Sequence, residues 1–213
     1  GMDHVIFDDA NQTVRFSHPE THLDLGGIAK GYALDIARRI ARNHGLERGL
    51  IDLGGNIGVL AKPPPGRQTY RVAVRDPANP NELIEYIPVL DACVATSGNY
   101  ENIRRIEGRL VHHIIDPKTG YPVPNVNSVT VVTPRGVDSD TFSTGVFVGG
   151  TRLAESLVSS VPRTSILCIY GAEEGEPDRY KRFNWPPESL RGIRAWPNRP
   201  SRAGDGLRLQ SRA

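Results

Sequence analysis

Apolar and polar positions alternate in short runs over most of the chain, and a helical period appears in only a few places. Residues 5–7 and 13–16 are short apolar runs separated by Asp8-Asp9-Ala10-Asn11, which has turn chemistry, so they predict a hairpin. Ile28, Tyr32, Ile36 and Ile40 then recur at four-residue spacing, with Ala29, Ala33 and Ala37 beside them. That pattern predicts a long helix buried along one apolar stripe. Arg38, Arg39 and Arg42 crowd its last turns, where cations suit the helix dipole, and Gly45 is placed to end it as a left-handed cap.

Strand-like runs dominate the chain beyond this helix. Residues 50–53 and 58–61 flank Gly54-Gly55-Asn56, and a Pro-rich loop covers 62–66. Residues 70–74, 85–90 and 94–96 predict consecutive strands of an antiparallel meander. Two more strands are predicted at 110–115 and 128–133, with a strong turn signal, Asp116-Pro117-Lys118-Thr119-Gly120, between them. A second helix is predicted over 139–148, closed by Gly149-Gly150, and a third from Thr151 carrying Leu153, Leu157 and Val158. Residues 165–170 predict a buried strand and 180–183 an edge strand. Many strands, few helices and no regular β-α alternation predict an α+β fold, mostly antiparallel sheet packed with a few helices.

Composition adds boundaries. The chain has 213 residues, 38% of them hydrophobic, enough for one domain with a core, read here as residues 3–184. Residues 185–213 carry six Arg against Glu188 and Asp205, a charge of +4, together with four Pro and no apolar period. Such a segment buries too little to offset its ordering entropy and reads as a disordered basic tail. The whole-chain charge of +2 is too small to argue for nucleic acid. Cys93 and Cys168 sit inside apolar runs without zinc spacing and read as buried free thiols. No apolar run reaches transmembrane length and no signal peptide opens the chain, whose start reads as an internal one.

Four constellations could carry chemistry. In Asp24-Leu25-Gly26-Gly27-Ile28-Ala29-Lys30-Gly31-Tyr32, the paired glycines at a strand-to-helix junction permit close backbone approach and leave N–H groups free at a helix start, a ready anion site. A Gly-rich turn needed only for packing explains the same residues. In Ser139-Asp140-Thr141-Phe142-Ser143-Thr144, Asp140 and Thr144 are one helical turn apart and project from one face. A carboxylate and a hydroxyl are hard oxygen ligands of the kind Mg²⁺ prefers, and the other positions would go to water, phosphate or backbone oxygens. Asp140 serving the helix start electrostatically is the competing reading. In Val111-His112-His113-Ile114-Ile115-Asp116-Pro117, strand alternation lets only one histidine face a given pocket, where it could act as general base or acid. A solvent-facing pair fits as well. Ala95-Thr96-Ser97-Gly98-Asn99-Tyr100 offers hydroxyls at a strand end that could face a cofactor, or form an ordinary β-turn.

Taken in order, DLGGIAKGYALD, IDLGGNI, RVAVRDP, ATSGNYE, HIIDPKTG and SVTVV followed by SDTFSTGVFVGG resemble the successive motifs of the ApbE family, the FAD:protein FMN transferases formerly described as thiamine-biosynthesis lipoproteins. The resemblance runs over residues 4–169. It implies an α+β fold and a reaction in which Mg²⁺ helps move FMN from FAD onto a threonine hydroxyl of an acceptor protein, such as a membrane redox-complex subunit, with release of AMP. By matching position, Asp140 and Thr144 resemble the side-chain metal ligands, and Gly27 the residue lending a backbone carbonyl to the same ion. Asp24 and Lys30 match FAD contacts, His113 matches the histidine near the flavin phosphates and a candidate base, and Thr96 and Ser97 fall in the cofactor-facing loop. Ser143 stands where some members carry an acidic residue. The family works at the periplasmic face of the bacterial inner membrane.

One departure is expected to matter. Members carry a substantial segment before DLGG that supplies part of the flavin pocket, whereas about twenty residues precede it here. The resemblance therefore implies an incomplete flavin wall, an exposed apolar patch, and FAD binding at least ~100-fold weaker than in a complete relative. Alternative readings are an FAD-binding module, an FAD pyrophosphatase, or a fragment needing a partner to complete the pocket.

Overall fold

A computed structural model describes residues 1–79, 81–100, 103–106, 109–171, 179–186 and 190–191. Its centre is a six-stranded antiparallel sheet ordered β12-β11-β10-β7-β4-β3, comprising β3 (Leu50–Leu53), β4 (Asn56–Val59), β7 (Cys93–Gly98), β10 (Val126–Thr133), β11 (Ser165–Tyr170) and β12 (Arg179–Phe183). Helices α1 (Ala29–Asn43) and α2 (Gly136–Ser160) cover one face. A three-stranded sheet of β5 (Tyr70–Arg75), β6 (Leu83–Val89) and β13 (Leu190–Arg191) covers the other. Two small hairpins complete the list: β1 (Val5–Asp8) with β2 (Thr13–Phe16), and β8 (Arg104–Ile106) with β9 (Arg109–Val111). This is an α+β fold.

Two cores follow from the strand alternation. Val94 and Val132 lie opposite each other and face the three-stranded sheet, packing with Val59, Val72, Ile87, Val89, Leu167 and Ile169. Val129 and Val131 point the other way, against Val146, Phe147 and Ala154 of α2. The predicted meander holds only for its first two strands. Leu90, Asp91 and Ala92 turn the chain, with Asp91 at φ 45°, so that β7 pairs with β4 and β10 in the larger sheet. The hairpin at 5–16, the Asp116–Gly120 turn with Gly120 at φ 74°, and β12 as an edge strand all form as predicted.

The predicted stripe on α1 is not the buried one. Tyr32 is 60% and Ile40 52% exposed, while Gly31, Leu34 and Arg38 are buried. The helix is seated by backbone approach and by a guanidinium, neither of which a hydrophobic period reports. A Cβ placed on Gly31 would lie 2.2 Å from the Gly136 carbonyl oxygen, and one on Gly58 would lie 3.0 Å from Leu34 Cδ1, so α1 packs directly on α2 and β4. Arg38, read from sequence as one of the cations that suit the dipole at the helix end, is 3% exposed. It donates to the carbonyls of Val59 and Pro134, to Asp91 and to Cys93 Sγ, tying α1 to β4, β7 and the approach to α2. Gly45 does cap α1 at φ 77°, with Leu46 N–H returning to the Ala41 carbonyl.

The two predicted helices at 139–148 and from 151 stand end to end within α2, which begins earlier, at Gly136, and breaks as predicted at Gly150, where the backbone is non-helical at φ 70° and ψ −162°. Trp185, assigned by composition to the tail, packs against the core between the sheets, and Leu190–Arg191 pair with β6. The rest of the predicted tail, residues 187–189 and 192–213, lies outside the described residues. Among the described residues no helix is long and apolar enough to cross a membrane. Among the described residues, most of the large apolar side chains left exposed belong to the first fifty, including Phe7, Phe16, Leu25, Tyr32 and Ile40.

Both cysteines are free and buried, as expected. Burial pushes each thiol up to about 11, and for Cys93 it outweighs the opposing pull of the Arg38 charge. Neither is therefore expected to react with iodoacetamide at about pH 8 in the folded protein, since the thiolate is the nucleophile. Mass spectrometry showing alkylation at the same rate with and without denaturant would contradict this packing.

Candidate functional site

The crossing of α1 and α2 builds the site. Gly31 and Gly136 each lack the Cβ that would strike the other's backbone, at 2.2 Å and 2.5 Å from the opposing carbonyl oxygens. This contact brings the Asp140 carboxylate to α1, where Oδ2 accepts the Gly31 N–H at 2.8 Å. Asp140 is 5% exposed, and its Oδ1 has no hydrogen bond among the described residues. A carboxylate oxygen outside the hydrogen-bond network is a hard ligand of the kind a small divalent cation takes.

The start of α2 has no side-chain cap of its own; Arg135 occupies that position without one. Asp35 of α1 supplies the cap across the interface, accepting Gly136 N–H at 2.6 Å and Val137 N–H at 3.0 Å. The carboxylate also complements the positive end of the helix dipole. Sequence reasoning missed Asp35, since its partners lie about a hundred positions away. The only available signal was an acidic residue in mid-helix, one turn after Gly31.

Thr144, one turn beyond Asp140, lies beside Gly27: a Cβ on Gly27 would sit 3.3 Å from Thr144 Oγ1. Ser97, from β7, reaches α2 from the sheet side, with its Oγ 2.9 Å from Ser143 Oγ and 3.1 Å from Thr144 Oγ1. Gly27, Ser97, Asp140, Ser143 and Thr144 thus converge, although they come from three separate stretches of chain. Thr96 does not join them. Adjacent strand residues face opposite sides, and Thr96 Oγ1 pairs with Thr130 Oγ1 at 2.9 Å on the face turned to the second sheet.

Asp24 is exposed, and its Oδ1 accepts the Gly26 N–H at 2.6 Å, closing the turn that leads into α1. Lys30 is exposed on the first turn of α1. The strand predicted at 110–115 ends at Val111, so the two histidines lie beyond it and strand alternation does not orient them. His112 is half-buried: Nε2–H donates to the Val123 carbonyl at 3.0 Å, Nδ1 accepts the Ile114 N–H at 3.3 Å, and the ring stands edge-on to Phe147. His113 is exposed at the bend beside it. Among the described residues no group of three or more His, Cys, Asp or Glu could hold a metal. A cation held by Asp140 would therefore need hydroxyl, backbone or ligand oxygens to complete its shell.

The chain is 35% identical over 170 residues to an FAD:protein FMN transferase of Treponema pallidum, a match covering 76% of this chain and 47% of that protein. It is 33% identical over 180 residues to the FAD:protein FMN transferase of Salmonella typhimurium, covering 83% and 50%. The crystal structure of the ApbE protein of Thermotoga maritima superposes with a TM-score of 0.72 at 36% identity, covering 84% of this chain and 57% of that one. The chain spans about half the length of the curated relatives it matches. With the sequence model of the ApbE family matching residues 1–168, the chain belongs to the ApbE family.

Proposed function

We propose that this chain carries the phosphate- and metal-binding part of an FAD:protein FMN transferase, which moves FMN from FAD to a threonine hydroxyl of an acceptor protein and releases AMP. The observation that carries this reading is the convergence of Gly27, Ser97, Asp140 and Thr144 at a helix crossing next to the Gly-rich start of α1. The donor set suits Mg²⁺: the Asp140 carboxylate, the Thr144 hydroxyl and the Gly27 carbonyl are hard oxygens, and the remaining positions fall to pyrophosphate oxygens and water. Bound there, the ion would neutralise charge developing on the pyrophosphate as AMP leaves.

The chain's own groups divide the remaining work. Lys30, exposed on the first turn of α1, attracts the flavin phosphates. Asp24 holds the Gly26 turn with one oxygen and offers the other to FAD. His113 takes the proton of the acceptor threonine as its oxygen attacks phosphorus. The new oxygen–phosphorus bond forms while the pyrophosphate bond of FAD breaks, and AMP carries away the displaced oxygen. The same reading puts the acceptor among subunits of membrane redox complexes, and the reaction at the periplasmic face of the bacterial inner membrane. Family resemblance supports those two statements.

The test is incubation with FAD and Mg²⁺, with and without an acceptor carrying the target threonine. The expected result is acceptor fluorescence that survives a denaturing gel and disappears when EDTA replaces Mg²⁺. Free FMN and AMP without labelled acceptor would instead assign an FAD pyrophosphatase. Neither product would assign an FAD-binding module or a part that acts only with a partner.

A further inference from the structure

We infer that Ser97 is a positioning residue: it turns the Thr144 hydroxyl proton inward and so aims the Thr144 lone pairs at the point shared with Gly27 and Asp140. The inference rests on the metal-site reading above and assigns a role to a residue that need not touch the flavin.

Counting protons in the hydroxyl cluster leads to it. Ser143 Oγ–H donates to the Asp140 carbonyl at 2.9 Å, so its single proton is committed. The 2.9 Å contact between Ser97 Oγ and Ser143 Oγ then requires Ser97 to be the donor. Ser97 has no second proton, so its 3.1 Å contact with Thr144 Oγ1 requires Thr144 to donate. The competing acceptor for Thr144, the Asp140 carbonyl, lies at 3.4 Å and already receives Ser143 and the helical N–H of Thr144 itself. One arrangement satisfies all three contacts: Thr144 to Ser97, Ser97 to Ser143, Ser143 to the Asp140 carbonyl. Thr144 Oγ1 is left with both lone pairs outside this chain of hydrogen bonds, on an oxygen that lies against Gly27. A metal-ligating hydroxyl needs its lone pairs presented in this way, and groups that orient ligands are typically worth about 10–100-fold in metal affinity.

The experiment titrates Mn²⁺ alone, as a paramagnetic stand-in for Mg²⁺, into the whole chain without FAD and follows free Mn²⁺ by electron paramagnetic resonance. Ser97→Ala is expected to weaken Mn²⁺ binding by about 10-fold or more, with an unchanged thermal midpoint. Ser97→Thr, which keeps the hydroxyl, should restore most of the affinity. In a Thr144→Ala background, Ser97→Ala should add no further loss, because its effect passes through Thr144. Weakened binding in Asp140→Asn and Thr144→Ala but not in Ser97→Ala would overturn the role of Ser97 and leave the metal site standing. Unchanged binding in all three would overturn the metal site itself, and Ser97 with it. A loss in Ser97→Ala that tracks a lowered midpoint and is not rescued by Ser97→Thr would make Ser97 a packing residue and overturn the inference.

Discussion

Replacing His113 with alanine is expected to lower flavin transfer by about two to four orders of magnitude, the usual contribution of a general base. The choice between the neighbouring histidines rests on the surroundings of His112 and the exposure of His113. His112 uses both ring nitrogens, one donating to the Val123 carbonyl and one accepting the Ile114 N–H, and its ring packs edge-on against the fully buried Phe147. Taking up a proton at Nδ1 would break the bond to Ile114 and bring charge against an apolar core. His113 stands exposed on the bend, where a substrate hydroxyl can reach it. His112→Ala should therefore act mainly on stability, lowering the unfolding midpoint, with rates per folded molecule near wild type. The measurement is single-turnover transfer at saturating FAD across a range of pH. Unchanged turnover in His113→Ala would assign His113 a structural role, and an equal loss from His112→Ala without destabilisation would move the base to His112.

The second large effect is on folding. Gly31→Ala is expected to destabilise the chain by at least about 3 kcal/mol, the upper end of overpacking costs. The added methyl would sit 2.2 Å from the Gly136 carbonyl oxygen and 2.6 Å from Asp140 Cβ. Backbone cannot rotate away as a side chain can, so the helices must part. Parting them also breaks the hydrogen bond from Gly31 N–H to the Asp140 carboxylate, and hydrogen bonds to charged groups are worth about 1.5–3 kcal/mol. Gly145→Ala is the control. Its Cβ would meet only Leu153 Cδ2 at 3.8 Å, ordinary contact, and alanine in a helix gains up to about 1 kcal/mol over glycine. Urea unfolding of the two variants should show opposite signs. A Gly31→Ala protein as stable as wild type would mean that the crossing is looser than described.

By itself the sequence determined the class of the fold, most of its strands, the Gly45 cap and the Gly120 turn, because these depend on local alternation and on glycine's access to positive φ. It also determined that Asp140 and Thr144 share a helix face, since helical spacing is a local property. Family resemblance added the expectation that Gly27, Asp140 and Thr144 share one site, and Thr144 does lie beside Gly27. Tertiary structure alone decided what seats α1. Its conspicuous stripe of Ile28, Tyr32 and Ile40 stays largely exposed, and the buried face is made of Gly31, Leu34 and Arg38, whose value lies in close approach and in hydrogen bonds to distant carbonyls. The same holds for Asp35, which caps a helix that begins about a hundred residues later, and for Thr96 and Ser97, neighbours that the pleat sends to opposite faces of the sheet. Local patterns record what a residue does with its own neighbours in the chain. Which helix crosses which, and which hydroxyl proton points inward, are set by contacts between segments that meet only once the chain has folded.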